Sequence, residues 1–345
     1  MPDEMTLTEP GAQRLRPLSL SQIRLLHTCA YAWQLRYRAG HLPSPSAAAW
    51  RGALNHAAIR LASHGAPLEV AHRHVWQRAC GPVLPQLERF LALDAEYAAS
   101  GRPQTSAARK WRQSHPEYDA TLAAIRGFQR GALGHLRWGE RASLEGYYAS
   151  SVAMLDYEPD IVLPRPILIE GEERRGEDVI LAEAEVRVTE DDAGVDEAER
   201  RDYSRIPATL SGVDLHIVPD VVALDDDGET MLVVDYKTSD RVLPPEALAE
   251  DAQLHLYVLG LRQNGYILPG QPVALGHITL TAKGPARVFV RVEPRQHERV
   301  IRRLEALARR AADDIAAGRF VAQKGLHPPF LSPCTTCDYA HVCDA

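Results

Sequence analysis

Apolar positions along the chain fall into two textures that meet near residue 152. From 19 to 147 they recur every three or four residues, the spacing of a helix face. The stretch SLSQIRLLHTCAYAWQLRYRAG, 19–40, reads as one helix, with Ser19 and Gln22 placed as a capping box and Gly40 as the stop. A Pro/Ser/Ala linker at 43–49 leads to a second helix that starts near Trp50 and carries RGALNHAAIRLA. Residues 68–147 read as mostly helical, broken at Gly81-Pro82, Gly101–Pro103 and His115-Pro116.

Beyond 152 the runs become β-like: VAMLDY, VILAEAEVRV, ATLSGVDLHIVPDVVAL and TMLVVDYK. A helix at 244–265 opens on proline and closes on glycine, followed by the strands ALGHITLT and ARVFVRVEP and a long helix at 294–318. Strands alternating with helices predict an α/β fold with a mixed sheet. No internal repeat is visible.

The bulk numbers bound what such a chain can be. It has 345 residues, 45% hydrophobic and 25% charged, the composition of a globular protein with length for one large domain or two ordinary ones. No apolar run approaches the roughly 18 residues of a membrane span. The opening MPDEMTLTEPGAQ lacks a basic stretch followed by an apolar one, so it does not read as a signal peptide, and a cytoplasmic protein with a flexible tail at 1–17 is expected. Net charge is −7, which argues against a purely electrostatic nucleic-acid binder. Many of the acids fall in 172–202, leaving room for a basic groove elsewhere.

Chemistry concentrates in PDVVALDDDGETMLVVDYK, 219–237. Asp227-Gly228 between apolar strands is a two-residue hairpin signal. That turn places Leu224 opposite Met231, Val222 opposite Val233 and Asp220 opposite Asp235, all on one face, with Lys237 one step further along it. Two carboxylates directly opposite each other repel, the more so beside apolar surface. A divalent cation removes the conflict, and two aspartates suit Mg²⁺ or Mn²⁺. The chain has only four lysines against 35 arginines, and a compact ammonium fits beside such a site better than a guanidinium fork.

These residues resemble the PD-(D/E)XK nucleases, in particular their RecB-like branch. Pro219-Asp220 and Asp235-Tyr236-Lys237 are similar to that branch's second and third motifs, which implies Asp220 and Asp235 as metal ligands, with the Tyr236 backbone carbonyl, and Lys237 as the catalytic lysine. QLHLY is similar to the next motif, implying that Gln253 and Tyr257 serve the same site; at i and i+4 they share one helix face. RGALNH is similar to the first motif, implying His56 as a further ligand. The family also carries an acid ahead of the Asp220 strand, for which Glu183 and Glu185 are both candidates.

Three of five cysteines, Cys334, Cys337 and Cys343, lie in the tail as Cys-x2-Cys-x5-Cys. Without a secretion signal such spacing reads as a metal site. The fourth ligand could be Cys29, Cys80 or His341, and spacing does not choose between an iron–sulfur cluster and Zn²⁺. The AddB-like and CRISPR-associated members of the branch hold a [4Fe–4S] cluster with one N-terminal and three C-terminal cysteines. The resemblance thus implies Cys29, Cys334, Cys337 and Cys343 as ligands and Cys80 as a bystander, although Ala30 stands where the family has proline after the first cysteine.

The resemblance further implies a restriction-endonuclease-like core of mixed sheet flanked by helices, with an N-terminal helical region and a cluster segment joining both termini. The expected divisions are a tail at 1–17, a helical region at 18–150, a nuclease core at 151–325 and a cluster segment at 326–345. The activity implied is that of a metal-dependent DNA exonuclease on single-stranded ends, acting in repair, recombination or defence with a helicase or CRISPR partner. Two other readings are a DNA-binding or structural subunit of such a complex that does not cleave, and a zinc-stabilised structural protein with a chance Asp-Tyr-Lys.

Overall fold

The central strand of the sheet is apolar on both sides. In β6 (Met231–Thr238) the residues from Met231 to Tyr236 are all buried, the pattern of a strand covered on both faces. The computed structural model describes residues 17–43, 45–100, 106–140, 142–163, 166–169, 172–173, 206–239, 241–281, 284–322, 334, 337–339 and 342–343. Glu183, Glu185, His341 and the expected strand VILAEAEVRV lie outside them.

The helices before the sheet are α1 (Leu20–Thr28), α2 (Ala30–Tyr37), α3 (Ala47–Ser63), α4 (Leu68–Cys80), α5 (Leu84–Ala99), α6 (Ser106–Ser114), α7 (Pro116–Gly131), α8 (Leu144–Val152) and the short α9 (Glu158–Ile161). Then come β1 (Pro166–Ile169), β2 (Glu172–Glu173), β3 (Ile206–Leu210), β4 (Val213–Ile217) and β5 (Val221–Leu224). After β6 follow α10 (Pro245–Leu248), α11 (Ala252–Gln263), β7 (Val273–Thr281), β8 (Gly284–Arg291) and α12 (Pro294–Ala316). The main sheet runs β2-β1-β5-β6-β7-β8. It is mixed: β6 pairs with β5 antiparallel and with β7 parallel.

Alternation along β5 and β6 feeds two apolar layers. Val221, Ala223, Leu232, Val234 and Tyr236 pack with α3, α4, α5 and α8. Val222, Met231 and Val233 face the other way, onto α1, α11, α12 and the separate hairpin β3–β4. The residues at 18–163 therefore supply outer layers to both faces of the sheet. Leu18 is tied to β4 by backbone bonds to Asp214 and His216, each 3.0 Å long. In α12 the buried residues Val300, Ile301, Leu304, Ala308, Ala311 and Ile315 trace one helix stripe.

Four local expectations change. The helix expected at 19–40 is two, broken at Cys29, whose backbone is extended (φ −164°). Thr28 ends α1 by folding its hydroxyl onto the Arg24 carbonyl at 2.9 Å. VAMLDY is not a strand: it finishes α8 and forms a 3-10 turn at Leu155–Tyr157 ahead of Pro159. A short apolar run does not separate strand from helix by itself. The helix expected at 244–265 is also two, because the Asp251 carboxylate accepts from the Gln253 and Leu254 amides and caps a new start.

The hairpin turn differs as well. Asp225 N–H bonds the Thr230 carbonyl at 2.9 Å, so the loop has four residues, 226–229. Asp227 Oδ1 accepts from the amides of Glu229 and Thr230, both at 2.8 Å. A four-residue loop centred between Asp227 and Gly228 keeps the same register as the two-residue turn, and Val221↔Val234 and Leu224↔Met231 pair as expected.

α11 sits close on the β3–β4 hairpin at Gly260, where an added Cβ would stand 2.5 Å from Ile217 Cδ1. Gly260→Ala is expected to cost about 1–3 kcal/mol, as overpacking does. A thermal melt with no loss for this variant would show that α11 has freedom to shift.

Candidate active site

Asp220 ends the bend before β5, and Asp235 sits one step beyond the last β5–β6 pair, Val221↔Val234. The two carboxyls thus meet where the strands part. Asp220 Oδ2 accepts the Tyr236 N–H at 2.7 Å. In an extended residue N–H and C=O point to the same flank, so the Tyr236 carbonyl faces that edge too. The Tyr236 ring goes the other way, into the α3-side core, where its hydroxyl donates to the Ile161 carbonyl at 2.7 Å.

Burial pushes the Asp220 carboxyl up to about 8, and the Asp235 charge adds to the rise; the Tyr236 N–H and Lys237 oppose it. Asp235 is only 3% exposed. Its Oδ1 accepts from Gln253 Nε2 at 2.9 Å, and the same nitrogen lies 2.6 Å from the Tyr257 hydroxyl. Gln253 and Tyr257 therefore do reach the site from one face of α11. Lys237 forms an ion pair with Asp235 Oδ2. Burial raises the Tyr257 phenol, with Asp220 and Asp235 adding to the effect, so it stays a neutral hydroxyl that accepts from Gln253 Nε2.

α3 brings His56 from the opposite layer. Its Nδ1 lies 3.7 Å from Asp220 Oδ2, and its ring meets the Tyr236 ring edge-on with centroids 6.1 Å apart. The helix starts at an N-cap, Ser46, whose hydroxyl accepts the Ala49 N–H at 3.1 Å.

Two residues of this neighbourhood escaped the sequence reading. His277 on β7 is directly across from Asp235 in the parallel ladder. It is 5% exposed, and its Nε2 lies 3.7 Å from Asp235 Oδ2 and 3.9 Å from Asp251 Oδ2. Burial lowers its pKa although both aspartates pull the other way. The signals were a lone histidine in the apolar run ALGHITLT and an acid just ahead of QLHLY.

Among the described residues no three His, Cys, Asp or Glu side chains stand close enough to coordinate one ion. What the strand ends offer is two facing carboxyls, one backbone carbonyl and a histidine beside them. Such a sparse set of hard donors fits Mg²⁺ or Mn²⁺, which keep several waters. The raised Asp220 fits a cation as well, because a positive charge relieves the repulsion between two neighbouring carboxyls.

Among the described residues the four expected cluster cysteines do not stand as a coordinating set: no three of them are close enough to share one ion. The Cys337 thiol is raised by burial and then by Cys29, Cys334 and Cys343 together. Cys29 and Cys337 border a small apolar cluster of Ala32, Leu35 and Tyr339. Cys337 Sγ accepts the Tyr339 N–H at 3.4 Å. Cys80 is elsewhere, fully buried among α3, α4 and α5, and burial raises its thiol to about 12.

Comparison with protein families gives a match to the model described as the PD-(D/E)XK nuclease superfamily, over residues 17–146 and 123–344. Comparison with curated proteins gives no match. Among solved structures the chain is similar to the crystal structure of SSO0001, with 18% identity over 41% of this chain and a TM-score of 0.22. The matched part spans 57% of that chain. No helix among the described residues is long and apolar enough to cross a membrane.

Proposed function

The chain belongs to the PD-(D/E)XK nuclease superfamily, and from that premise we propose that it is a divalent-metal-dependent DNA nuclease of the RecB-like branch, an exonuclease on single-stranded ends. The observation that carries the reading is the meeting of Asp220, Asp235 and Lys237 at the parting of β5 and β6, with Gln253 and Tyr257 bonded behind them. The preference for single-stranded ends rests on the resemblance of the four motifs to that branch.

Asp220, Asp235, the Tyr236 carbonyl and His56 would hold Mg²⁺ or Mn²⁺, which supplies an acidified water and shields charge on the scissile phosphate. Lys237, 41% exposed in its side chain, presents its ammonium at the mouth of the site, where it orients the attacking water and offsets charge growing on the phosphate oxygens. Gln253 fixes the Asp235 carboxylate by donating to one oxygen, which turns the other outward. Tyr257 fixes Gln253 in turn. His277 and Asp251 back Asp235 from β7 and the α11 cap and keep bulk water from that side. The test is cleavage of end-labelled single strands with Mn²⁺ and with chelator; products only with the metal support the reading, and none in either condition overturns it.

The cysteine set is proposed to hold a [4Fe–4S] cluster through Cys29, Cys334, Cys337 and Cys343, with structural Zn²⁺ as the competing occupant. Support comes from the resemblance of the cysteine spacing to that branch and from the electrostatic influence of Cys29, Cys334 and Cys343 on Cys337. Such a group would close a loop of about 300 residues and restrict the unfolded chain. Protein purified anaerobically is expected to be brown, with broad absorption near about 400 nm. Cys29→Ser should bleach it and lower the melting temperature of the whole protein. Cys80→Ala should leave the colour unchanged; alanine is the control because serine would bury a hydroxyl in the α3–α5 core. A colourless protein with one equivalent of zinc would replace iron–sulfur by zinc.

A further inference from the structure

On the other side of β6 from Lys237 lies a small cleft where Arg51, Asn55 and Thr238 meet the apolar Met154, Leu280 and Pro285. Thr238 follows Lys237 directly, about 3.3 Å further along the strand, and alternation turns it toward α3. Asn55 precedes His56 on α3. The cleft therefore adjoins the candidate active site without sharing its side chains.

Its polar groups are unbalanced. The Arg51 guanidinium stacks 4.7 Å over the Tyr147 ring and donates to Ser150 Oγ at 3.2 Å. Among the described residues no carboxylate pairs with it, and its buried Nε has no hydrogen-bond partner. The buried Thr238 hydroxyl has none either. Gly52 on α3 faces that hydroxyl: an added Cβ would stand 3.9 Å from Thr238 Oγ1, in van der Waals contact. Asn55, 3% exposed, spends its carbonyl oxygen on Ser151, and the Ser151 oxygen lies 3.3 Å from Trp76 Nε1. Thr281 directs its hydroxyl to the Gly284 carbonyl at 2.7 Å.

Acceptors around the cleft are consumed and donors remain, one of them permanently charged. Unpaired buried donors destabilise a free protein, and an anion with several oxygens would satisfy both the Arg51 Nε and the Thr238 hydroxyl. We propose that Arg51, Asn55 and Thr238 form a phosphate-binding subsite that holds the phosphate flanking the scissile bond of a DNA strand. The phosphodiester as substrate rests on the nuclease reading above; the anion preference stands on the donors alone. Arg51 and Thr238 are substrate-positioning residues: the phosphate they hold fixes how far the strand advances past Lys237.

The experiment is steady-state cleavage of a single-stranded oligonucleotide with Mn²⁺. Arg51→Ala should raise KM about 10- to 100-fold, the worth of one charge-assisted hydrogen-bonded contact, with kcat changed about threefold or less. Arg51→Lys should recover part of the loss. Thr238→Val should raise KM about 3- to 10-fold while its melting temperature stays level or rises, because the hydroxyl has no partner in the free protein. A structural role would lower that temperature. Substrates with a 5′-phosphate, with a 5′-hydroxyl and with one internal methylphosphonate distinguish a terminal phosphate from an internal one. KM unchanged in both Arg51→Ala and Thr238→Val overturns the subsite. Oligonucleotide binding in chelator, read by fluorescence anisotropy, tests it separately from cleavage. There Arg51→Ala should weaken binding about tenfold or more, and equal binding overturns the subsite even where wild type cleaves.

Discussion

Lys237→Ala is expected to slow metal-dependent cleavage by about 10²- to 10⁴-fold, the range for a lost transition-state charge or proton-handling group. Binding of the oligonucleotide should change far less. The side chain lies at the rim, so its loss opens no cavity in either core layer. It does leave Asp235, 3% exposed, with Gln253 as its one hydrogen-bond donor. A modest fall in melting temperature in chelator should follow, and it should disappear with Mn²⁺, when the carboxylate has a cation again. Lys237→Arg should not restore the rate, because a planar fork cannot replace a point charge beside two carboxyls. Cleavage at near wild-type rate by Lys237→Ala would remove the lysine from the mechanism.

Asp220→Asn should abolish activity and yet stabilise the protein in chelator. The folded carboxyl titrates near 8 against about 3.9 unfolded. A raised carboxyl favours folding below the unfolded value, and that benefit is lost as pH climbs from about 4 to about 8. Asparagine does not ionise, so the variant escapes the loss. Its advantage should be small near pH 5 and largest near pH 8, worth roughly 1–3 kcal/mol after allowance for partial solvent access. Mn²⁺ should raise the melting temperature of wild type but not of the variant. Asp235→Asn should behave differently, because it breaks the Lys237 ion pair and one oxygen acceptor for Gln253; it should lose activity without gaining stability. A variant at position 220 that melts lower than wild type at pH 8 in chelator would show that Asp220 is held as a charged group.

How much of this was legible depended on the range of the forces involved. Alternation of Val222, Val233 and their neighbours, with Asp227-Gly228 between them, was enough to align Asp220 with Asp235 and to put Lys237 on the same face. The register survived a wrong turn type because a longer loop about the same centre conserves it. Helix periods placed Gln253 over Tyr257 for the same local reason. Breaks were read less well. Cys29 and Asp251 interrupt apolar patterns that look continuous; at Asp251 the break comes from a carboxylate that caps two amides of a new helix.

By itself the sequence determined the strand and helix periods, the pairing of the two acids and the gathering of sulfur at the chain's end, because these follow from backbone geometry and spacing within a few dozen residues. Only the tertiary structure decided that α3 delivers His56 from the opposite layer, that β7 sets His277 beside Asp235, and that Arg51 and Thr238 line one cleft with no carboxylate pairing Arg51 among the described residues. Those encounters join residues between about 40 and 190 positions apart in a chain. Which partners meet, and which buried groups stay unpaired, depends on how whole layers close over the sheet, and no local pattern records that.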